Sequence, residues 1–405
     1  MNANSFKTLA LAGSIALSTL FVACHKDNKM TPNQKGGTMA TVSIENVSKP
    51  KPFNQSGIFE GKEKVIKPRE KATIKFSAGK GQRLMFATMY GKSNDWFFAS
   101  EQPGINLYDD RGQAITGDVS YAVKLYDNGT IDSKKEQEKK PIAEVSDIKP
   151  SELMKLDLQY DEKKSEFTLT ITNVSSGIHE TPFSPGVWAV SNFDGMKLLE
   201  EMPFFTPGKP SNPEITDIAQ MGNPAKLMAK VKNETGLFTG ISPLVVVVYK
   251  ADKNPVFEIG QKDKGIGLKN IAQMGDAKRL VEALKKMPEV KGVYMAGSSP
   301  ITPGKSEMVK VDLPKDCKIT YLTMYGFSND WFYANEKDLS ATFRGDATGS
   351  TALFDSGTGF DQYPGAGNKQ ALFKGTPEKE EKPIQKVDNK YPIPQPKDIL
   401  RITIR

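Results

Sequence analysis

Hydrophobic and polar positions alternate with a period of two in short runs along most of the chain. Val42 and Ile44 alternate with Ser43 and Glu45; Ala72, Ile74 and Phe76 with Thr73, Lys75 and Ser77. The same rhythm returns at Phe167, Leu169 and Ile171 and at Leu400, Ile402 and Ile404. Successive side chains of a strand point to opposite faces, so each run predicts a half-buried antiparallel strand. Gly, Pro, Asn and Asp clusters break the runs, a pattern that indicates a β-sandwich or barrel. Leu244–Tyr249 (LVVVVY) is apolar at every position and predicts a central strand covered on both faces.

The chain also repeats itself. Thr88-Met89-Tyr90-Gly91-Lys92-Ser93-Asn94-Asp95-Trp96-Phe97 recurs as Thr323-Met324-Tyr325-Gly326-Phe327-Ser328-Asn329-Asp330-Trp331-Phe332. Downstream, Gly117-Asp118 and Asp127-Asn128-Gly129-Thr130 recur at the same interval as Gly345-Asp346 and Asp355-Ser356-Gly357-Thr358. The openings Ile44-Glu45-Asn46-Val47-Ser48 and Ile171-Thr172-Asn173-Val174-Ser175 match, as do the closing strands around Leu156–Leu158 and Ile402–Ile404. This predicts two copies of one domain, residues 41–164 and 165–405. Within the second, residues 183–232 resemble 241–287: each has a Ser-Pro before an apolar strand, then Ile-Ala-Gln-Met-Gly and a short helix. These are expected to be small helical elements that the first copy lacks. The charged stretches Lys134–Lys140 and Glu378–Lys390 read as solvated loops.

The length of 405 residues allows two to three domains, and 38% hydrophobic with 25% charged residues fits a turn-rich folded protein. The net charge of +7 is a mild, dispersed Lys excess and not the concentrated basic stripe of a nucleic-acid binder, so no nucleic-acid partner is expected. With only His25, His179, Cys24 and Cys317, the sequence excludes Cys/His zinc sites and a disulfide framework, so a metal would be held by oxygen.

Lys7 and the apolar stretch Leu9–Ala23 read as a signal peptide over residues 1–23, too short for a spanning helix of roughly 20 apolar residues. Its end, Leu20-Phe21-Val22-Ala23-Cys24, resembles the bacterial lipobox, which implies acylation of Cys24 and attachment to a membrane. His25 rather than Asp after the cysteine favours the outer membrane, with the protein facing the periplasm or the cell surface. Residues 24–40 read as a polar, flexible tether.

Asn-Val-Ser, Phe205-Thr206-Pro207-Gly208, Ile-Ala-Gln-Met-Gly, Thr-Met-Tyr-Gly-x-Ser-Asn-Asp-Trp-Phe, Gly-Asp and Asp-x-Gly-Thr, in this order and partly duplicated, resemble the spondin N-terminal domain family. The resemblance covers most of the chain after residue 41. It implies a mainly β fold of two C2-like antiparallel β-sandwiches, cell-surface placement, a role in adhesion and no enzymatic activity. It also implies a calcium ion held by loops at one end of each sandwich, with Asp95 and Asp127 as ligands in the first copy and Asp330 and Asp355 in the second. Animal relatives carry an acidic residue four positions after the Asp of Asp-x-Gly-Thr, where this chain has Ile131 and Gly359. Asp132, one position beyond, and Asp361, two beyond, are the expected replacements. The residues themselves agree with an oxygen-only cation site, since calcium takes six to eight oxygens from turns; ordinary Asx turns would use the same sequences without metal. Two further functions stay open: a lipoprotein glycan hydrolase using loop carboxylates, and a purely structural envelope protein. The binding partner, protein or glycan, is not specified by the sequence.

Overall fold

The computed structural model describes residues 37–405, apart from 133–134, 137–139, 195–196, 202–203 and 389. The signal peptide, Cys24 and most of the tether lie outside the described residues. In chain order the longer strands are Thr38–Asn46 (β1), Phe53–Phe59 (β2), Lys71–Ser77 (β3), Arg83–Met89 (β4), Trp96–Ser100 (β5), Val123–Asp127 (β6), Met154–Asp161 (β7), Glu166–Asn173 (β8), Gly186–Ser191 (β9), Leu244–Tyr249 (β10), Val290–Ala296 (β11), Ser306–Leu313 (β12), Lys318–Met324 (β13), Trp331–Asn335 (β14), Thr351–Asp355 (β15) and Leu400–Ile404 (β16). The helices Pro213–Met221 (α1) and Ala225–Asn233 (α2) form one pair, Leu268–Met274 (α3) and Lys278–Leu284 (α4) another.

The period-two runs pair as antiparallel ladders and build two sandwiches. In the first, the sheet β6-β5-β4-β9-β2 faces the sheet β3-β8-β7; in the second, β15-β14-β13-β10-β11 faces β12-β1-β16, the same order throughout. Ile74, Leu156, Phe167 and Leu169 fill the space between the first two sheets, and Val42, Ile44, Val246 and Ile402 the space between the second two. The outer face of each larger sheet is covered by a helix pair. Ile215, Ile218, Leu227 and Val231 of α1 and α2 pack on Met85, Ala87 and Phe97, while Ile271, Leu280 and Leu284 of α3 and α4 pack on Val245, Val247 and Leu322. This is why β10 is apolar on both sides: Val246 and Val248 face the sandwich interior, Val245 and Val247 the helices. Gly222 and Gly275, at φ 63° and 71°, end α1 and α3 in the left-handed conformation that glycine adopts without strain.

The fold is therefore the mainly β, two-sandwich architecture expected, but its boundaries are not those expected. A cut between residues 164 and 165 would split the β7–β8 hairpin, in which Asp161 pairs with Glu166 and Met154 with Asn173. Strand β1, expected in the first domain, sits between β12 and β16 in the second. Residues 38–40, expected in the tether, are the start of β1, opposite Leu313, Asp312 and Val311. The helical element at 183–232, expected in the second domain, covers the first sandwich, so each sandwich has one. The physical reason is that β8, not β1, completes the first sandwich. The first sandwich runs from β2 to α2 in circularly permuted order and is inserted between β1 and β10 of the second. Its two ends meet: Phe53 N–H donates to Glu234 O at 3.1 Å and Gly236 N–H to Phe53 O at 2.9 Å.

Equivalent asparagines close both sandwiches. The Asn46 amide donates to Thr239 O and Ile301 O, and the Asn173 amide to Ile66 O and Thr181 O; each carbonyl accepts from Ser48 or Ser175. The matched Asn-Val-Ser openings thus mark the same device.

Candidate metal site

Each Ser-Asn-Asp-Trp motif forms the turn that enters the central strand β5 or β14. In the second sandwich Ser328 Oγ donates to Tyr325 O and accepts the Trp331 N–H; Ser93 does the same with Tyr90 and Trp96. The turn is anchored because Trp331 is buried in the core; Trp96 is half-buried, packed on the core and stacked on Tyr90.

That turn presents Asp330, which is fully buried, to the Asp-x-Gly-Thr loop at the end of β15. Asp330 Oδ2 accepts from Ser356 Oγ at 2.7 Å, Thr358 N at 2.6 Å, Thr358 Oγ1 at 3.1 Å and Gly359 N at 2.9 Å. Asp355 Oδ1 accepts from Gly357 N at 2.7 Å, an Asx turn that needs Gly357 at φ 68°; a Cβ there would lie 2.2 Å from Lys382 O. Asp361 Oδ1 accepts the Trp331 indole N–H at 2.7 Å.

One oxygen each of Asp330, Asp355 and Asp361 lies within 4.8 Å of the others. Two oxygens bound to one calcium at about 2.4 Å can be at most about 4.8 Å apart, so the spacing suits a shared cation. The remaining oxygen of Asp330, Oδ1, is buried and accepts no hydrogen bond from any described residue. Leaving a carboxylate oxygen buried without a partner is costly unless a positive group supplies the missing interaction. Burial, then repulsion from Asp330, pushes Asp355 up to about 7; burial, then repulsion from Asp355 and Asp330, pushes Asp361 up to about 8. Burial also raises Asp330, against the hydrogen bonds that favour its charged form. A cavity of about 160 Å³ opens beside Asp355 and Asp361, with Lys382 and Lys390 at its lining. The charged stretch read as a solvated loop is largely exposed over residues 378–388, but Lys382, Gln385, Val387, Asp388 and Lys390 line this cavity.

The first sandwich repeats the scaffold. Asp95 Oδ2 accepts from Thr130 N, Thr130 Oγ1 and Ile131 N at 2.8–2.9 Å, and Asp127 Oδ1 from Gly129 N at 2.7 Å. The backbone of Asp132 is in a two-residue strand, Ile131–Asp132, but its side chain lies outside what is described. Among the described residues, the three-carboxylate group is that of the second sandwich.

A brace that the sequence does not announce stands behind each loop. Gln220 Nε2 of α1 donates to Thr130 Oγ1 at 2.9 Å, and Gln273 Nε2 of α3 donates to Thr358 Oγ1 at 3.1 Å. The signal was present, since both glutamines belong to the repeated Ile-Ala-Gln-Met-Gly, but their contact with Asp-x-Gly-Thr spans roughly ninety residues of chain.

The site also connects to the first sandwich. Immediately after Asp361, Gln362 Nε2 donates to Lys163 O at 2.9 Å, Pro364 O accepts from Asn54 and Gly365 O from Gln82. The loop that supplies the third carboxylate is therefore a fastener between the sandwiches.

Compared with family models and with curated proteins, the chain matches none of them. No helix among the described residues is long and apolar enough to cross a membrane.

Proposed function

We propose that this is a non-catalytic, lipid-anchored envelope protein of the spondin type whose second sandwich binds calcium and whose surface serves in binding or adhesion. The observation that carries the ion is the convergence of one oxygen each of Asp330, Asp355 and Asp361, beside a buried Asp330 Oδ1 that accepts no hydrogen bond from the described residues. The donor set is all oxygen, which suits a hard cation, and the clustering of three carboxylates favours calcium over a neutral ligand. A glycosidase would need carboxyl groups facing each other across a sugar, about 5 Å or more apart; carboxylates that converge within 4.8 Å favour an ion. Attachment through acylated Cys24, at the outer membrane, completes the proposal: the sequence end at Val22-Ala23-Cys24 supports it.

Calorimetric titration of the mature chain with Ca²⁺ is expected to give saturable heat that Asp330→Asn abolishes and Asp95→Asn leaves in place. Absence of heat in the unaltered protein would remove calcium from the proposal. The anchor predicts radiolabelled palmitate incorporation that disappears in Cys24→Ser; persistent labelling of the variant would defeat it.

A further inference from the structure

Long edge strands carry unpaired backbone groups, and proteins ordinarily protect them with charge, shortness or cover. Most sheet edges here follow that rule. The edges at Gly117–Asp118, Ala143–Glu144, Gly345–Asp346 and Gln385–Lys386 are two residues long. The long edge β3 carries Lys71 and Lys75, β11 carries Lys291, and β12 carries Glu307, Lys310 and Asp312. Strand β2, Phe53-Asn54-Gln55-Ser56-Gly57-Ile58-Phe59, is the exception: a long edge with no charged residue and no proline. Its register irregularity lies at the Phe53 end, where Thr235 bridges Phe53, so Gln55–Phe59 pairs regularly with β9.

That edge lines a cleft of about 770 Å³. Asn54–Ile58 form one side, with Trp188, Met228, Leu237, Tyr363 and Pro392 supplying apolar surface from both sandwiches. Ile58 is 46% exposed, and the Trp188 indole lies over Gly57, where a Cβ would come within 2.8 Å of Nε1. Among the described residues, Lys232 is the one charged residue in the lining.

We infer that β2 is an acceptor edge for strand addition by an extended peptide segment of a partner protein, with apolar residues at alternate positions and an acidic residue placed to meet Lys232. Strand addition takes affinity from main-chain hydrogen bonds along an open edge and selectivity from pockets for alternate side chains, and the cleft offers both. Five residues of edge span about 16 Å, enough for a short segment. A second copy of this chain is a poorer occupant, because its own β2 is equally enclosed by Tyr363, Pro392 and α2. The inference rests on the binding role proposed above and names its partner class; it does not require the ion.

The test is panning of a random phage-displayed peptide library on the intact mature protein, followed by anisotropy of the recovered peptides in calcium and in EDTA, so that ion and strand proposals are read separately. Expected are alternating apolar peptides whose affinity falls at least tenfold in Ile58→Lys, with the melting curve of the variant unchanged. N-methylation of the peptide at one alternate set of residues should abolish binding, and at the other set leave it intact, a readout that needs no change in the protein. Failure to enrich any peptide, equal binding to Ile58→Lys, indifference to both N-methyl sets, or a dimer in sedimentation that Ile58→Lys dissolves would each overturn the inference.

Discussion

Deleting Thr38–Asn46 is expected to unfold the second sandwich and spare the first, although the deleted strand precedes the first in the chain. Strand β1 is interior to its sheet, bonded to β12 on one side and β16 on the other. Val42 and Ile44 are fully buried, and each forfeits about 1.5–3 kcal/mol of burial on removal. The deletion also strips two ladders of hydrogen bonds and takes Asn46 from Thr239 and Ile301. Together these losses are comparable to the whole stability of a typical domain, about 5–15 kcal/mol. The first sandwich keeps its equivalent strand, β8, and its own joined ends at Phe53, Glu234 and Gly236. Hydrogen exchange should therefore show protection retained over residues 53–235 and lost over 241–404. Loss confined to the first sandwich would contradict the inserted, permuted arrangement.

The second large effect is a competition between protons and calcium. Without the ion, burial and mutual repulsion hold Asp355 at about 7 and Asp361 at about 8. The ordinary carboxyl range lies near 4. Between these limits the folded protein retains protons that the unfolded chain has released, so stability falls as pH rises from about 4 to about 8 and levels off above. In EDTA the melting temperature is expected to drop by on the order of 10 °C between pH 5 and pH 8. Saturating calcium replaces the protons and should flatten that slope, while binding itself releases protons at pH 7 and strengthens as pH rises. Superimposable melting curves in EDTA and calcium across this range would contradict the account. Because Gln362, Pro364 and Gly365 follow Asp361 onto the first sandwich, the stabilisation should extend to exchange protection of residues 361–370.

Much of this was legible in the sequence. Alternation at Val42–Ile44, Ala72–Phe76 and Phe167–Ile171 placed strands correctly, and the unbroken apolar run of β10 foretold a layer on each face. The domain boundary is not legible in the same way, because β1 pairs with strands more than 250 residues away rather than with its neighbours in sequence. The matching Asn46 and Asn173 openings were the available clue: two openings separated by a single set of strands imply that one opening serves the later sandwich. Asp330 and Asp355 are named by the family resemblance alone, and Asp361 by counting past Gly359, where that resemblance fails. What counting could not supply is the orphaned Asp330 Oδ1, which depends on how the loops fold against each other, or the braces from Gln220 and Gln273, which depend on how the helix layer lies over them.

The most direct test of the cation site is a calcium anomalous-difference map from crystals of the mature protein grown with saturating Ca²⁺. The account predicts a peak within about 2.6 Å of an oxygen of each of Asp330, Asp355 and Asp361. A map with no peak between these three carboxylates would contradict it.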